Sequence, residues 1–381
     1  MHNLPPLHLT PSEPQDSLAQ EYQREATLLK NLKLPQKPSG HGSSGSDWSK
    51  VEVNAVRAVP LLNQNPSRII PEHYFPNGGD QGFTELAKSI CAPSIDDLKG
   101  YNEDLFERNP YCSFFVGLSE LATTGTSEDT INKQFLKSTS MGSMSSELST
   151  SSNEDSSESV AATALRNFVV TTLIGMKQHK NLANTASKRV QLRCSANEVR
   201  FTWKMGGSTY VAENDGLIGV NFPGSMSGSD RNTKAPVVNL ECKQRNAGGI
   251  KRRSGEPEGW NPSIFAQEVA EMIGSMQTQM ERNSFCLPDQ ESFVISLHGT
   301  LFYVSTAYFS PEYISYLKDG ESPPMPDFLW VRRSTHYDLK DRAGRKGALE
   351  ILWALVRYIA SGEAKVNIVH AAMKALGRPS D

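Results

Sequence analysis

The sequence predicts an α/β fold with a mixed β-sheet in the C-terminal part of the chain, preceded by a helical and partly disordered N-terminal region. Three observations lead there. From Ser159 onward the residue pattern runs helix, three strands, helix, strands. One of those strands, PVVNLECKQ at 236–244, is a short apolar run led by β-branched residues, as expected of a strand buried on both faces. Between Ser138 and Ser157, ten of twenty residues are serine. Such a stretch buries too little apolar surface to offset its ordering entropy and reads as a linker.

These observations divide the 381 residues into four segments. Residues 1–50 read as a disordered tail with a single helical pattern at roughly 17–32. Residues 51–122 read as a small helical region. There, apolar residues recur at three and four over 82–90, 94–107 and 111–122, as at Phe83, Leu86 and Ile90. Residues 123–157 form the low-complexity linker, and 158–381 the α/β domain.

Within that domain, Ser159–Gln178 places Leu165, Phe168, Val169, Leu173 and Met176 on one helical stripe. Residues 190–205 and 208–222 are β-rich. Asn261 and Pro262 open a helix as N-cap and first-turn residue, with Trp260 and Phe265 spaced as a hydrophobic staple. Its buried face is Phe265, Val269, Met272, Ile273, Met276 and Met280. Residues 292–309 read as two strands or one bent strand and 327–333 as another strand. Helices near 347–361 and 364–376 close the chain.

Composition narrows the class. No window holds 18 consecutive apolar residues, so no membrane span is expected. The start, MHNLPPLHLTPSEPQ, lacks the basic and apolar regions of a secretory leader. Five scattered cysteines with no CxxC spacing argue against a disulfide framework and a zinc module. An intracellular protein, nuclear or cytoplasmic and not secreted, is expected. The net charge of −3 conceals a split: residues 1–160 hold 12 Lys and Arg against 21 Asp and Glu, residues 161–381 hold 27 against 21. The basic second half points to a polyanionic partner.

Chemistry concentrates at Asp215, Glu241 and Lys243. Asp215-Gly216 sits at the turn into a strand, and Glu241-Cys242-Lys243 ends the apolar strand that follows. Residues two apart on a strand share a face, so Glu241 and Lys243 project together while Cys242 points into the core. Two carboxylates and the backbone carbonyl of Cys242 make a hard-oxygen donor set suited to Mg²⁺. The Lys243 ammonium beside them can orient or help deprotonate a water and stabilise charge on a phosphate.

Asp-Gly, then a strand ending Glu-x-Lys, then a helix with an early Gln (here Gln267) resembles the signature of the PD-(D/E)XK nuclease superfamily. It is most similar to the fungal-type PD-(D/E)XK nuclease-like domains. The resemblance spans roughly residues 159–300 and leaves the N-terminal third aside. It implies a restriction-endonuclease-like αβββαβ core. It further implies that Asp215 and Glu241 ligate Mg²⁺ (or Mn²⁺), that Lys243 serves the nucleophile and that Gln267 supports the site from the helix. The Pro that often precedes the Asp is absent, since Glu213 and Asn214 stand there. The acidic residue usual on the helix before the sheet has Glu158 as its only nearby match.

The loop KQRNAGGIKRR supplies Arg245, Lys251, Arg252 and Arg253 beside the sheet edge, where they would hold backbone phosphates. A second cluster, Arg332, Arg333, Arg342, Arg345 and Lys346, would extend that track. Gln267 with Glu271 forms an i, i+4 polar pair that reads equally as a solvated face, and Glu268 reads as solvated. His298, on an apolar strand, reads as a core histidine. The expected function is a metal-dependent nuclease acting on nucleic acid, DNA favoured over RNA, with the N-terminal region left for a protein partner. The alternative is the same fold without catalysis, binding nucleic acid or protein.

Overall fold

The computed structural model describes residues 17–28, 44–100, 103–122, 151–178, 190–195, 198–205, 208–220, 235–243, 261–282, 286–319 and 328–375. In chain order the helices are α1 (Ser17–Leu28), α2 (Lys50–Ala55), α3 (Gln81–Cys91), α4 (Ile95–Gly100), α5 (Glu103–Phe106), α6 (Cys112–Ala122), α7 (Ser151–Gln178), α8 (Pro262–Arg282), α9 (Pro311–Asp319), α10 (Arg342–Ser361) and α11 (Asn367–Ala375). The strands are β1 (Ala58–Gln64), β2 (Leu192–Ser195), β3 (Val199–Met205), β4 (Ser208–Asn214), β5 (Gly216–Val220), β6 (Val238–Lys243), β7 (Gln290–His298), β8 (Leu301–Phe309), β9 (Leu329–Ser334) and β10 (Tyr337–Asp338).

Eight strands form one mixed sheet in the order β1-β9-β8-β7-β6-β5-β2, with β10 alongside β8. The pairs β1/β9 and β6/β7 are parallel and the others antiparallel. This is the mixed α/β architecture that the alternating patterns predict. Two apolar cores cover its faces. One gathers residues of α3, α6, α7, α10 and α11, the other those of α1, α8 and α9.

From α7 onward the sheet takes β2, β5 and β6 as antiparallel neighbours, then α8 returns the chain to β7, parallel to β6. The two β-rich stretches become four strands, because the chain leaves the sheet after β2 and pairs β3 with β4 as a separate two-stranded ribbon. Residues 292–309 are two strands, folded back at Gly299 and Thr300. α8 starts where its cap predicts: Asn261 Oδ1 accepts the Ser263 N–H at 3.0 Å.

The N-terminal third departs from expectation. Residues 58–64, taken with a helical region, form β1, an edge strand running parallel to β9 with Val59 opposite Trp330. Its Pro60 is tolerated there because an edge strand has one side free of ladder bonds. The helical pattern read at roughly 17–32 does form a helix, over 17–28, but it is packed on the fold rather than part of a free tail, and it buries Ala19, Tyr22 and Ala26. Tyr22 meets Phe265 of α8 edge-on at 6.0 Å, and Glu25 accepts from Lys50 at 2.8 Å and from Asn54 at 2.7 Å. A face of three residues suffices when neighbouring elements supply the rest of the apolar surface.

The linker is also shorter at its C-terminal end, since 151–157 belong to α7. A helix anchored by a packed portion extends at little cost per added residue. Among the described residues, Glu158–Gln178 is long and apolar enough to cross a membrane. Half of it is instead buried in this fold, where Leu165, Phe168, Val169 and Leu173 join the core.

Candidate active site

β6 alternates as its sequence dictates. Val238, Leu240 and Cys242 enter the core beside α7 and α10, so Asn239, Glu241 and Lys243 share the opposite face. Glu241 is fully buried there. Its Oε1 lies 2.7 Å from Lys243 Nζ and accepts from Gln267 Nε2 at 2.7 Å. Lys243 also donates to Glu158 of α7 at 2.9 Å. Asp215, at the bend between β4 and β5, accepts the Cys242 N–H at 2.6 Å, and its own N–H donates to the Leu240 carbonyl at 3.0 Å. Gly216 lets this bend close: a Cβ there would stand 3.0 Å from the Ser195 carbonyl oxygen of β2.

The arrangement joins Asp215, Glu241, Lys243 and Gln267, all read as site residues from the sequence. Two further side chains are brought in. Glu158, the acid that the sequence offers on the helix before the sheet, accepts from Lys243. Glu271, one turn beyond Gln267, is fully buried rather than solvated, and accepts from Gln267 at 3.2 Å. The i, i+4 spacing of Gln267 and Glu271 held that signal, but nothing in one sequence fixes which way a polar pair faces.

Electrostatics follow from this burial. Desolvation pushes the Asp215 carboxyl up to about 6, against the pull of Lys243 and the Cys242 N–H. Desolvation likewise raises Glu241 and Glu271, and the charge of Glu241 raises Glu271 further. Burial alone would lower the Lys243 ammonium, but Glu241 and Glu158 more than reverse this and hold it protonated. Lys243 is therefore equipped to stabilise negative charge rather than to accept a proton. Burial also pushes the Cys242 thiol well up, consistent with a core side chain.

Among the described residues, no three His, Cys, Asp or Glu side chains are grouped to hold a metal ion. The candidate donor set is thus two carboxylates with a main-chain carbonyl. The β5–β6 ladder ends at Gly216 opposite Leu240, and the Cys242 N–H points past that rung to Asp215. The N–H and C=O of a strand residue share an edge, so the Cys242 carbonyl lies on the Asp215 side as well. Glu241 Oε2 is buried with no hydrogen-bond partner, which suits a cation better than an ion pair already complete. These groups fit a hard divalent ion.

A cleft of about 660 Å³ opens beside them, lined among others by Glu158, Arg166, Ser195, Glu198, Glu213 and Asp215.

The remaining expectations divide. Arg245, Lys251, Arg252 and Arg253 lie outside the described residues. The second basic cluster is not a phosphate track. Arg345 is buried and donates to the carbonyls of Ile90, Leu339 and Lys340 at 2.8–2.9 Å, while Arg342 caps the carbonyls of Ala92 and Pro93. Arg333 is buried against Glu268 at 2.5 Å, and Arg332 is buried too. Glu268 is accordingly no solvated residue: it has no exposed surface and also accepts from Ser296 at 2.7 Å. Position i+1 from Gln267 turns it under the helix toward β7 and β9. His298 is fully buried, 3.7 Å from the same carboxylate.

No family model matches this sequence, and no curated protein matches it significantly.

Proposed function

We propose that the site around Asp215, Glu241 and Lys243 hydrolyses phosphodiester bonds of nucleic acid, DNA in the first place, with Mg²⁺ or Mn²⁺. The observation that carries this reading is the meeting of two desolvated carboxyls and a protonated lysine at the C-terminal end of β6, where Asp215 lines a cleft. Within the sheet, the order of α7, the antiparallel strands β2, β5 and β6, then α8 and the parallel strand β7, with the β3–β4 ribbon inserted after β2, supports it further. That is the order expected of a PD-(D/E)XK nuclease core with a restriction-endonuclease-like sheet.

On this reading Asp215, Glu241 and the Cys242 carbonyl hold the ion, which supplies a Lewis acid and a water of lowered pKa. Gln267 keeps Glu241 turned toward the site by donating to its Oε1. Lys243, held by Glu241 and Glu158, places its charge where the phosphate becomes more negative as water oxygen bonds to phosphorus. The P–O bond to the leaving oxygen then breaks; the attacking water gives up its proton to bulk water, and the leaving oxygen takes one from it.

The test is incubation of the full chain with supercoiled plasmid, linear duplex and single-stranded DNA under Mg²⁺, Mn²⁺ or EDTA. Metal-dependent cleavage by the wild type, lost in Lys243→Ala and Glu241→Gln, is the expected result. Cleavage by Lys243→Ala at the wild-type rate overturns the assignment. Binding without cleavage under every metal leaves the non-catalytic reading of the fold.

A further inference from the structure

The β3–β4 ribbon stands outside the eight-stranded sheet, and among the described residues only one of its faces is covered. On β3, Val199, Phe201, Trp203 and Met205 are buried, whereas Arg200, Thr202 and Lys204 are exposed. On β4, Ser208, Tyr210, Ala212 and Asn214 are buried, leaving Thr209, Val211 and Glu213 outward. The register sets Arg200 across from Glu213, Thr202 across from Val211 and Lys204 across from Thr209. The outer face thus carries two cations and two hydroxyls against one acid. Arg200 and Lys204 are four residues apart on one strand, about 13 Å at the usual rise.

This ribbon is clamped to the candidate site. Asn214 Oδ1 accepts the Val199 N–H at 3.0 Å, and Asn214 Nδ2 donates to Asn239 Oδ1 at 2.9 Å. Asn239 in turn reaches the Glu271 carbonyl at 3.4 Å. The inner face lies on α8, where Gly274 leaves room for the Trp203 ring; a Cβ would meet that ring at 3.0 Å. Asp215 follows Asn214 directly, so the Arg200–Glu213 rung ends at the cleft that Glu213, Asn214 and Asp215 line together.

We propose that the outer face of this ribbon is a duplex-contacting surface, with Arg200 and Lys204 on backbone phosphates. The proposal rests on the reading of the neighbouring site as one that hydrolyses phosphodiesters. The cleft itself is lined by Glu158, Glu198, Glu213 and Asp215 against Arg166, so it holds a polyanion poorly. Affinity has to come from outside it, and the ribbon that leads into it presents the exposed cations. A two-stranded ribbon also matches the major groove of B-form DNA, about 12 Å wide. Arginine, lysine and threonine are the side chains that commonly contact phosphate oxygens.

The experiment is fluorescence anisotropy of a duplex DNA of mixed sequence with the full chain in EDTA, over a series of salt concentrations. The double substitution Arg200→Gln/Lys204→Gln is compared with Lys340→Gln/Lys346→Gln, which removes equal charge elsewhere. Circular dichroism checks that both remain folded. Two lost phosphate contacts lower the slope of log K against log salt by about two, and the control leaves it unchanged. An unchanged slope, an equal fall in the control pair, or no duplex binding by the wild type overturns the proposal. Cleavage with Mg²⁺ or Mn²⁺ by a wild type whose slope ignores the ribbon sinks this surface alone. Ribbon-dependent binding without any cleavage supports the surface and sinks the hydrolytic reading.

Discussion

The Gln267 amide donates to Glu241 at 2.7 Å while also reaching Glu271 at 3.2 Å, so one side chain of α8 addresses both fully buried carboxyls of the site. Gln267→Met keeps the volume and removes both donors. A buried acceptor that loses its partner costs about 1–3 kcal/mol. Urea denaturation of this variant is expected to show a loss of that size. Wild-type stability in Gln267→Met means that the amide contributes nothing to holding Glu241.

Acid stability follows from the same burial. Desolvation raises Asp215 to about 6 and Glu291 to about 7, the latter despite hydrogen bonds from the Lys365 N–H and Tyr358. In the unfolded chain such carboxyls titrate near 4. Between those values the folded state binds more protons than the unfolded one, so stability falls as pH rises. The melting temperature is expected to be higher at pH 5 than at pH 7.5 in the absence of divalent ions. Glu291→Gln, which cannot ionise, flattens the upper part of that fall. A melting temperature that rises steadily from pH 5 to 7.5 contradicts the prediction.

Glu268 and Arg333 form a buried ion pair that ties α8 to β9 across β7 and β8. Removing one partner leaves an uncompensated charge, which typically costs about 3–5 kcal/mol, whereas replacing both by apolar residues is often close to neutral. Arg333→Met is therefore expected to destabilise the protein strongly, and Glu268→Leu/Arg333→Met much less. A double-mutant cycle from chemical denaturation measures the difference. Equal destabilisation by the single and double variants rules out coupling between the two residues.

How much of this was legible depends on whether a signal is local. The strand ending Glu241-Cys242-Lys243 and the Asn261 cap are set by neighbours in sequence, and the structure forms both. The split of 190–222 into sheet strands and a ribbon is set by what α8 presents to Trp203, through Gly274, and by the Asn214–Asn239 amide pair. Both are contacts between distant positions. Glu268 and Glu271 illustrate the same limit. Each is a charged residue on a helix, and only the placement of Ser296, Arg333 and Gln267 around them keeps them from water. β1 carried a short apolar run, but its partner strand lies some 270 residues later and no local pattern announces a parallel pairing.

The N-terminal helix gives the last prediction. α1 packs on β1, α2 and α8, with Tyr22 as its largest buried side chain, edge-on to Phe265 and beneath the Lys50 ammonium at 5.0 Å. Truncating a buried aromatic residue commonly costs about 3–5 kcal/mol when the whole fold must bear it. An element tied to the fold by few contacts can instead come away alone, because local opening is limited by its own contacts rather than by global stability. In Tyr22→Ala, amide exchange over residues 17–28 is expected to accelerate while the amides of β6, β7 and β8 keep their protection. Faster exchange throughout those central strands would mean that α1 unfolds only with the sheet. The N-terminal segment would then be an inseparable part of the core that positions Glu241.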